Sequence, residues 1–113
     1  MKINNHAYGG FTVSKNLLNG KSIQYSFREK SSINALNGWN FYAIGDDDDY
    51  VNNPNNFEIL TAESVYKISP LIIELFEAPY GTDLYWLYKE DVHIGFYDLK
   101  TNKEVTIEEI LGE

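Results

Sequence analysis

The sequence predicts a single α+β domain, a mostly antiparallel sheet with two short helices inserted after the third or fourth strand. Three observations carry that prediction. Short alternating or wholly apolar stretches recur between turn signals, as at Ile23–Arg28, Trp39–Ile44, Leu84–Tyr88 and Val92–Tyr97. Two segments with helix-start chemistry, at Thr61 and at Ser69-Pro70, interrupt them. A chain of 113 residues, 43% apolar and 15% aromatic, is enough for one core and too short for two.

The elements follow in order. Residues 1–9 are polar and run into Gly9-Gly10, which reads as a flexible N-terminus of a domain spanning residues 1–113. Phe11–Ser14 is a short strand closed by Asn19-Gly20. In Ile23–Arg28 the apolar positions Ile23, Tyr25 and Phe27 alternate, the pattern of a half-buried strand. Ser31–Gly38 is polar and loop-like, and Trp39–Ile44 is apolar on both faces, which suits a central strand. Gly45, four aspartates, Tyr50 and an Asn/Pro cluster through Asn56 make a surface loop, because like charges repel and Asn and Pro form turns. Phe57–Leu60 resumes a strand.

Thr61 then caps a helix with Glu63 in its first turn and Val65 and Ile68 inward. Ser69-Pro70 starts a second helix with Leu71, Ile72 and Leu75 inward, ended by Pro79 and Gly81. Leu84–Tyr88 is a strand, Lys89-Glu90-Asp91 a charged turn, and Val92, Ile94 and Phe96 alternate against His93, Gly95 and Tyr97. After the turn Asp98–Lys103, Val105–Ile107 adds a last strand or leads into a short helix through Leu111.

Composition excludes several function classes. Without cysteine there is neither a disulfide framework nor a thiolate metal site. No apolar run reaches bilayer length and the opening residues lack a leader's apolar stretch, so a cytoplasmic protein is expected. The net charge of −8 is uneven: residues 1–45 sum to +4 and residues 46–113 to −12. Such a second half repels nucleic acid and anionic membrane and suits a basic protein partner, although acids also keep any small domain soluble.

No catalytic constellation emerges. The two histidines, His6 and His93, stand near the terminus and on a strand, and no serine lies in an elbow motif. Asp46–Asp49 offers hard oxygen ligands, but a calcium loop counted from Asp46 would need Gly at Val51 and Glu at Phe57. Acid pairs near an aromatic, such as Glu90 and Asp91 near Trp86, occur in any acidic, aromatic-rich domain. No cofactor and no metal are expected. Tyr50, beside the acid run, reads either as an interface anchor or as a residue that tucks the loop back on the sheet.

The segment Gly38-Trp39-Asn40-Phe41 followed by Gly45-Asp46-Asp47-Asp48-Asp49-Tyr50 resembles a bacterial family of polymorphic-toxin immunity proteins, first catalogued as a domain of unknown function. That family carries a Gly-Trp-x-Phe strand, a Gly-Asp-Glu acidic run ending in Tyr, an Asn-Pro loop and a Pro-centred helix. Here Asn53-Pro54-Asn55-Asn56 and Ser69-Pro70-Leu71-Ile72 take those places, Pro79 and Gly81 close the block, and Phe27-Arg28-Glu29 matches an aromatic-Arg-Glu strand end upstream. The similarity covers about residues 11–88. Leu36-Asn37 stands where the family usually has Asp-Ser, and Asp47 where it has Glu.

The resemblance implies a non-catalytic protein that binds and neutralises a cognate toxin, a basic nuclease suiting its acidity. The strand pattern leaves a monomer or a homodimer open, the latter through an exposed edge such as Val92–Tyr97. Within the shared motif, Gly38, Trp39, Phe41, Gly45 and Pro70 are read as framework, and Asp46, Asp47, Asp48, Asp49 and Tyr50 as partner surface, with Asp46 also a candidate cap for loop amides. The alternative is a cytoplasmic regulatory or adaptor domain binding a protein or small ligand.

Overall fold

The apolar run around Trp39 becomes the middle of the sheet. In the computed structural model, which describes residues 3–112, strand β3 (Leu36–Ala43) lies between β1 (Gly10–Ser14) and β2 (Ile23–Arg28). With β4 (Phe57–Leu60), β5 (Asp83–Lys89), β6 (Val92–Asp98) and β7 (Lys103–Val105) the seven-stranded order is β4-β1-β3-β2-β5-β6-β7. β1 and β3 pair in parallel and every other neighbouring pair is antiparallel. The fold is the expected α+β class, with α4 (Ala62–Ile68) and α5 (Leu71–Leu75) inserted after the fourth strand. Four further α-helical turns join them among the described residues, α1 (Asn5–Tyr8), α2 (Lys15–Leu18), α3 (Asp48–Val51) and α6 (Ile107–Leu111), with a 3₁₀ turn at Pro54–Asn56.

The caps explain where the helices begin. Thr61 accepts from the Ser64 amide at the start of α4, and Glu63 sits in the first turn as read. Ser69 does not cap α5; Pro70 occupies the cap position and the helix has no side-chain cap. After β7 the chain turns helical because Thr106 and Glu109 form a reciprocal capping box, which settles the strand-or-helix alternative in favour of both in succession. Residues 4–9, expected to be flexible, carry α1: Asn37 Nδ2 donates to the Tyr8 carbonyl at 2.9 Å, and the Tyr8 ring meets Phe76 edge-on at 4.7 Å. Met1 and Lys2 lie outside the described residues.

One face of the sheet is covered. Phe11, Val13, Ile23, Trp39, Phe41, Ala43, Leu84, Trp86 and Phe96 point towards Val65, Ile72, Leu75 and Ile110 of α4, α5 and α6, and all are buried. Fully burying each of the larger side chains stabilises the domain by about 1.5–3 kcal/mol. Pro70 supports this face only indirectly, as the exposed residue that starts α5.

Three strands differ from their expected form. β3 starts at Leu36, not Trp39: Asn37 and Gly38 are turn-forming types, but Asn37 Oδ1 accepts from the Trp39 amide and its side chain is buried. In β2 a bulge between Ile23 and Tyr25 breaks the alternation, so Ile23 and Ser26 join the core while Tyr25 and Phe27 face away from it. In β6 a bulge opposite Leu87 and Tyr88 brings His93 to the core face, its ring 5.0 Å from Trp86 and 4.8 Å from Phe96. Val92 and Ile94, read as inward, are instead 63% and 61% exposed. Nor is β6 outermost, since β7 pairs with its Phe96–Asp98 half.

The junction of β2, β3 and the chain after α5 is held by Arg28. Its Nε donates to the Asn37 carbonyl at 3.0 Å, and its Nη1 to the carbonyls of Phe76 and Ala78 at 2.8 and 2.9 Å. The guanidinium also lies over the Phe76 and Tyr80 rings, 5.1 and 4.6 Å from their centroids. Trp39 Nε1 donates to the same Phe76 carbonyl at 2.9 Å. Gly38 makes the junction possible: at φ +90°, a Cβ there would run into the Glu29 carbonyl oxygen.

Gly38→Ala should therefore lower stability by about 3 kcal/mol or more in urea unfolding, since backbone strain and a backbone clash combine. Gly45→Ala, also at φ +90° but with nothing within 4 Å of the added carbon, should cost only about 1–2 kcal/mol. Equal losses at the two sites would contradict the close approach at Gly38. Burial holds the His93 imidazole below its ordinary value of 6.5, a hydrogen bond at the Gly95 backbone partly opposing it. As pH falls through that value the unfolded chain takes up a proton that the folded chain resists, so stability is lost there and is fully present above it. Between about pH 7.5 and about pH 5.5 the wild type should lose more unfolding free energy than His93→Phe. Parallel pH profiles would exclude a buried neutral imidazole.

Candidate functional site

The opposite face of the sheet carries a second set of rings that touches none of the core rings. Tyr25 lies 5.4 Å from Phe27, 5.6 Å from Tyr42 and 5.7 Å from Tyr85, and Tyr42 lies 5.4 Å from Phe57. Tyr50 extends the series, 6.2 Å from Phe57. The helices α4, α5 and α6 all pack on the other side, so this face is open except at one end, where Val51 and Pro54 lean over Tyr42 and Phe57. Ile59 and Tyr85 at its margins are 55% and 43% exposed.

The covering end is the acidic segment, and its own residues hold it in place. Gly45 provides the bend after β3. Asp46 accepts from Asn16 Nδ2 at 2.7 Å through one carboxylate oxygen and from the Ala43 amide at 2.8 Å through the other. Asp47 is the N-cap of α3, accepting from the Tyr50 amide at 2.8 Å. Tyr50 accepts from Ser14 Oγ at 3.4 Å and donates to the Asn56 carbonyl at 3.3 Å, while Asn56 Nδ2 donates back to the Tyr50 carbonyl at 2.9 Å. Tyr50 thus ties the segment to β1 and to the turn before β4. Asp48 and Asp49, in the first turn of α3, are exposed.

Two shallow depressions link the segment to the rings. One, of about 420 Å³, is lined by Thr12, Asn40, Tyr42, Val51, Phe57 and Ile59. The other, of about 350 Å³, is lined by Tyr25, Tyr42, Asp46, Asp48, Val51 and Tyr85. No lysine or arginine lines either. The phenols register this environment. Burial first, then the Asp83 carboxylate, raises the Tyr25 pKa; burial, then the charges of Glu29 and Asp46, raises that of Tyr42. Asp83, which faces Phe27 across β2 and β5, has one carboxylate oxygen removed from water with no hydrogen-bond partner.

On the helix-covered side a cavity of about 560 Å³ lies among α2, α4 and β5–β6, with Lys21, Lys67, Tyr88 and His93 as its charged or titratable lining residues, and a second depression beside α6 is lined in part by Asp98, Lys100 and Glu109. Among the described residues no three His, Asp or Glu side chains come together in a metal-binding group. No helix is long and apolar enough to cross a membrane.

The structure brings Asp46–Tyr50 together as one capped turn and places Gly38, Trp39 and Phe41 in the framework, apart from that turn. Tyr25, Phe27, Tyr42, Phe57, Tyr85 and Asp83 were not among the site residues read from sequence. Their signal was present in part: Asn40 and Tyr42 alternate with Trp39, Phe41 and Ala43, which marks a two-faced strand. Asp46→Ala should cost about 1–3 kcal/mol in chemical denaturation, because it leaves the Ala43 amide without its acceptor. Asp48→Ala should change stability by less than about 0.5 kcal/mol. A reversed order would show that Asp46 does not brace the segment.

Comparison with known proteins agrees with the motif-based resemblance. No curated protein and no solved structure matched the chain. The family model described as the immunity protein Imm33 domain matches residues 11–94, a span that runs from β1 into β6 and includes the acidic segment and both inserted helices. The chain belongs to the Imm33 immunity protein family.

Proposed function

We propose that this domain acts by stoichiometric binding: it captures a cognate toxin protein and blocks it, with no chemistry of its own. Family membership supports a toxin-immunity role. The observation that carries the binding reading is the open aromatic face beside an acidic segment held rigid by Asp46, Asp47 and Tyr50. Aromatic side chains with few rotatable bonds make good anchors, and acids at their margin speed the approach of a basic partner. In this reading Asp48 and Asp49 meet the partner directly, while Asp46, Asp47 and Tyr50 present them. The partner is a basic toxin, a nuclease being the class whose substrate demands such a surface. The domain works in the cytoplasm of the producing cell, where such a toxin would do harm.

Co-expression with the toxin encoded beside it tests this reading. The domain should restore growth and co-purify with the toxin in a fixed ratio, and the purified complex should lack toxin activity. A toxin that kills equally well with and without the domain, and does not co-purify, would leave the regulatory or adaptor reading in its place.

A further inference from the structure

The open face and the cavity among α2, α4 and β5–β6 are lined by opposite charges. The open face is approached by Glu29, Asp46, Asp48 and Asp83 and has no cation in its depressions, whereas the helix-side cavity has two lysines and no acid. The aromatic area runs from Ile59 and Phe57 on β4 through Tyr42 and Tyr25 to Tyr85 on β5. These five adjacent strands span about 19 Å at the usual strand spacing. With the exposed side of α3, that is room for the central part of a standard interface, which covers about 800 Å² on each partner.

We propose that the whole open face from β4 to β5, and not the acidic segment alone, is the toxin-docking surface, and that its occupant is a basic patch of the toxin whose lysine or arginine side chains lie over Tyr25, Tyr42 and Tyr85 between Asp48 and Asp83. This rests on the toxin-binding reading and names the surface it uses. Charge complementarity selects the occupant. A second copy docked face to face through a two-fold axis would set these acids against themselves, and nucleic acid or an anionic membrane would be repelled. A cation gains from carboxylates and ring faces together, and most where water is excluded. Asp83, beside Tyr25 and opposite Phe27, places a negative charge at the β5 end of the face. The Tyr25 and Tyr42 phenols, raised first by burial, are raised further by the carboxylates of Asp83, Glu29 and Asp46, so that negative charge reaches the rings.

The test uses the neighbouring toxin, inactivated at its own active site, titrated calorimetrically against the full-length domain at low and moderate salt. Tyr85→Lys and Ile59→Lys, at exposed margins, should each weaken binding about thirtyfold or more, as loss of an interface anchor does. Lys67→Glu on the helix side should leave affinity within about twofold. Wild-type affinity should fall as salt rises. Hydrogen exchange of the wild-type complex should show protection in β2, β3, β5 and α3, a readout that does not depend on any variant folding. If the wild type binds and rescues, but protection and sensitivity lie around Lys21 and Lys67, the surface is wrong and the toxin reading survives. Salt-independent binding would overturn the basic occupant. Absence of any binding by the wild type would remove the toxin reading and this proposal with it.

Discussion

The fold depends on a cation that has no carboxylate partner among the described residues. Arg28 ends β2, and three carbonyls from two distant stretches, Asn37 on one side and Phe76 and Ala78 on the other, converge on its guanidinium between two aromatic rings. Carbonyls and ring faces satisfy the charge where a carboxylate would bring its own desolvation cost. A lysine has neither the fork geometry nor the delocalised plane to replace it. Three residues meet here: Arg28 as donor, Gly38 as the place where the Glu29 backbone passes, and Trp39 as a second donor to the Phe76 carbonyl. The Pro79–Gly81 turn closes back on β2, with the Gly81 amide donating to the Arg28 carbonyl at 2.6 Å. They form one joint between the central strands and the helical insertion.

With that joint in place, the helices have only one side of the sheet to cover, and the consequence is a domain with two unlike faces. The rings divide into two networks, one centred on Phe41 and Trp39 under the helices and one centred on Tyr25 and Tyr42 in the open. On the helix side Trp86 donates to Ser26 at 2.9 Å and Tyr88 to the Ile23 carbonyl at 2.6 Å, while His93 Nε2 is buried without a partner. The open side carries half-buried phenols, with the exposed carboxylates of Asp48 and Asp49 at its margin. On the toxin-binding proposal this division is an advantage, because the open face can vary without disturbing the packed one.

The acidic run shows how a composition signal divides once the chain is folded. Four adjacent aspartates look equivalent in sequence, and their charge alone suggested a solvated recognition loop. In the fold Asp46 and Asp47 bond to backbone and side-chain donors that a loop of this shape would otherwise leave unpaired, and Tyr50 closes the segment onto β1. Asp48 and Asp49 remain outward. Of the two readings weighed for Tyr50 from sequence, the tether describes its hydroxyl, which is engaged internally, and its ring stands at the margin of the open aromatic series.

Much was determined by the sequence alone, because it depends on neighbours along the chain. Thr61, Glu63 and the turn pairs place the start of α4 and the hairpin ends through local capping and φ preferences. Apolar content and the absence of cysteine set a single packed core, and the Gly-Trp and Gly-Asp motifs carried the family. The tertiary structure decided which side each aromatic faces. Strand side chains alternate with period two, so the bulges at Ile23/Tyr25 and Leu87/Tyr88 reverse the sense of everything beyond them, moving Tyr25 and Phe27 out of the core and His93 into it. Those bulges are set by hydrogen-bond register between strands far apart in the chain, which no local pattern encodes. The same holds for the parallel β1–β3 pairing and for the Arg28 joint, whose acceptors lie up to 50 residues away.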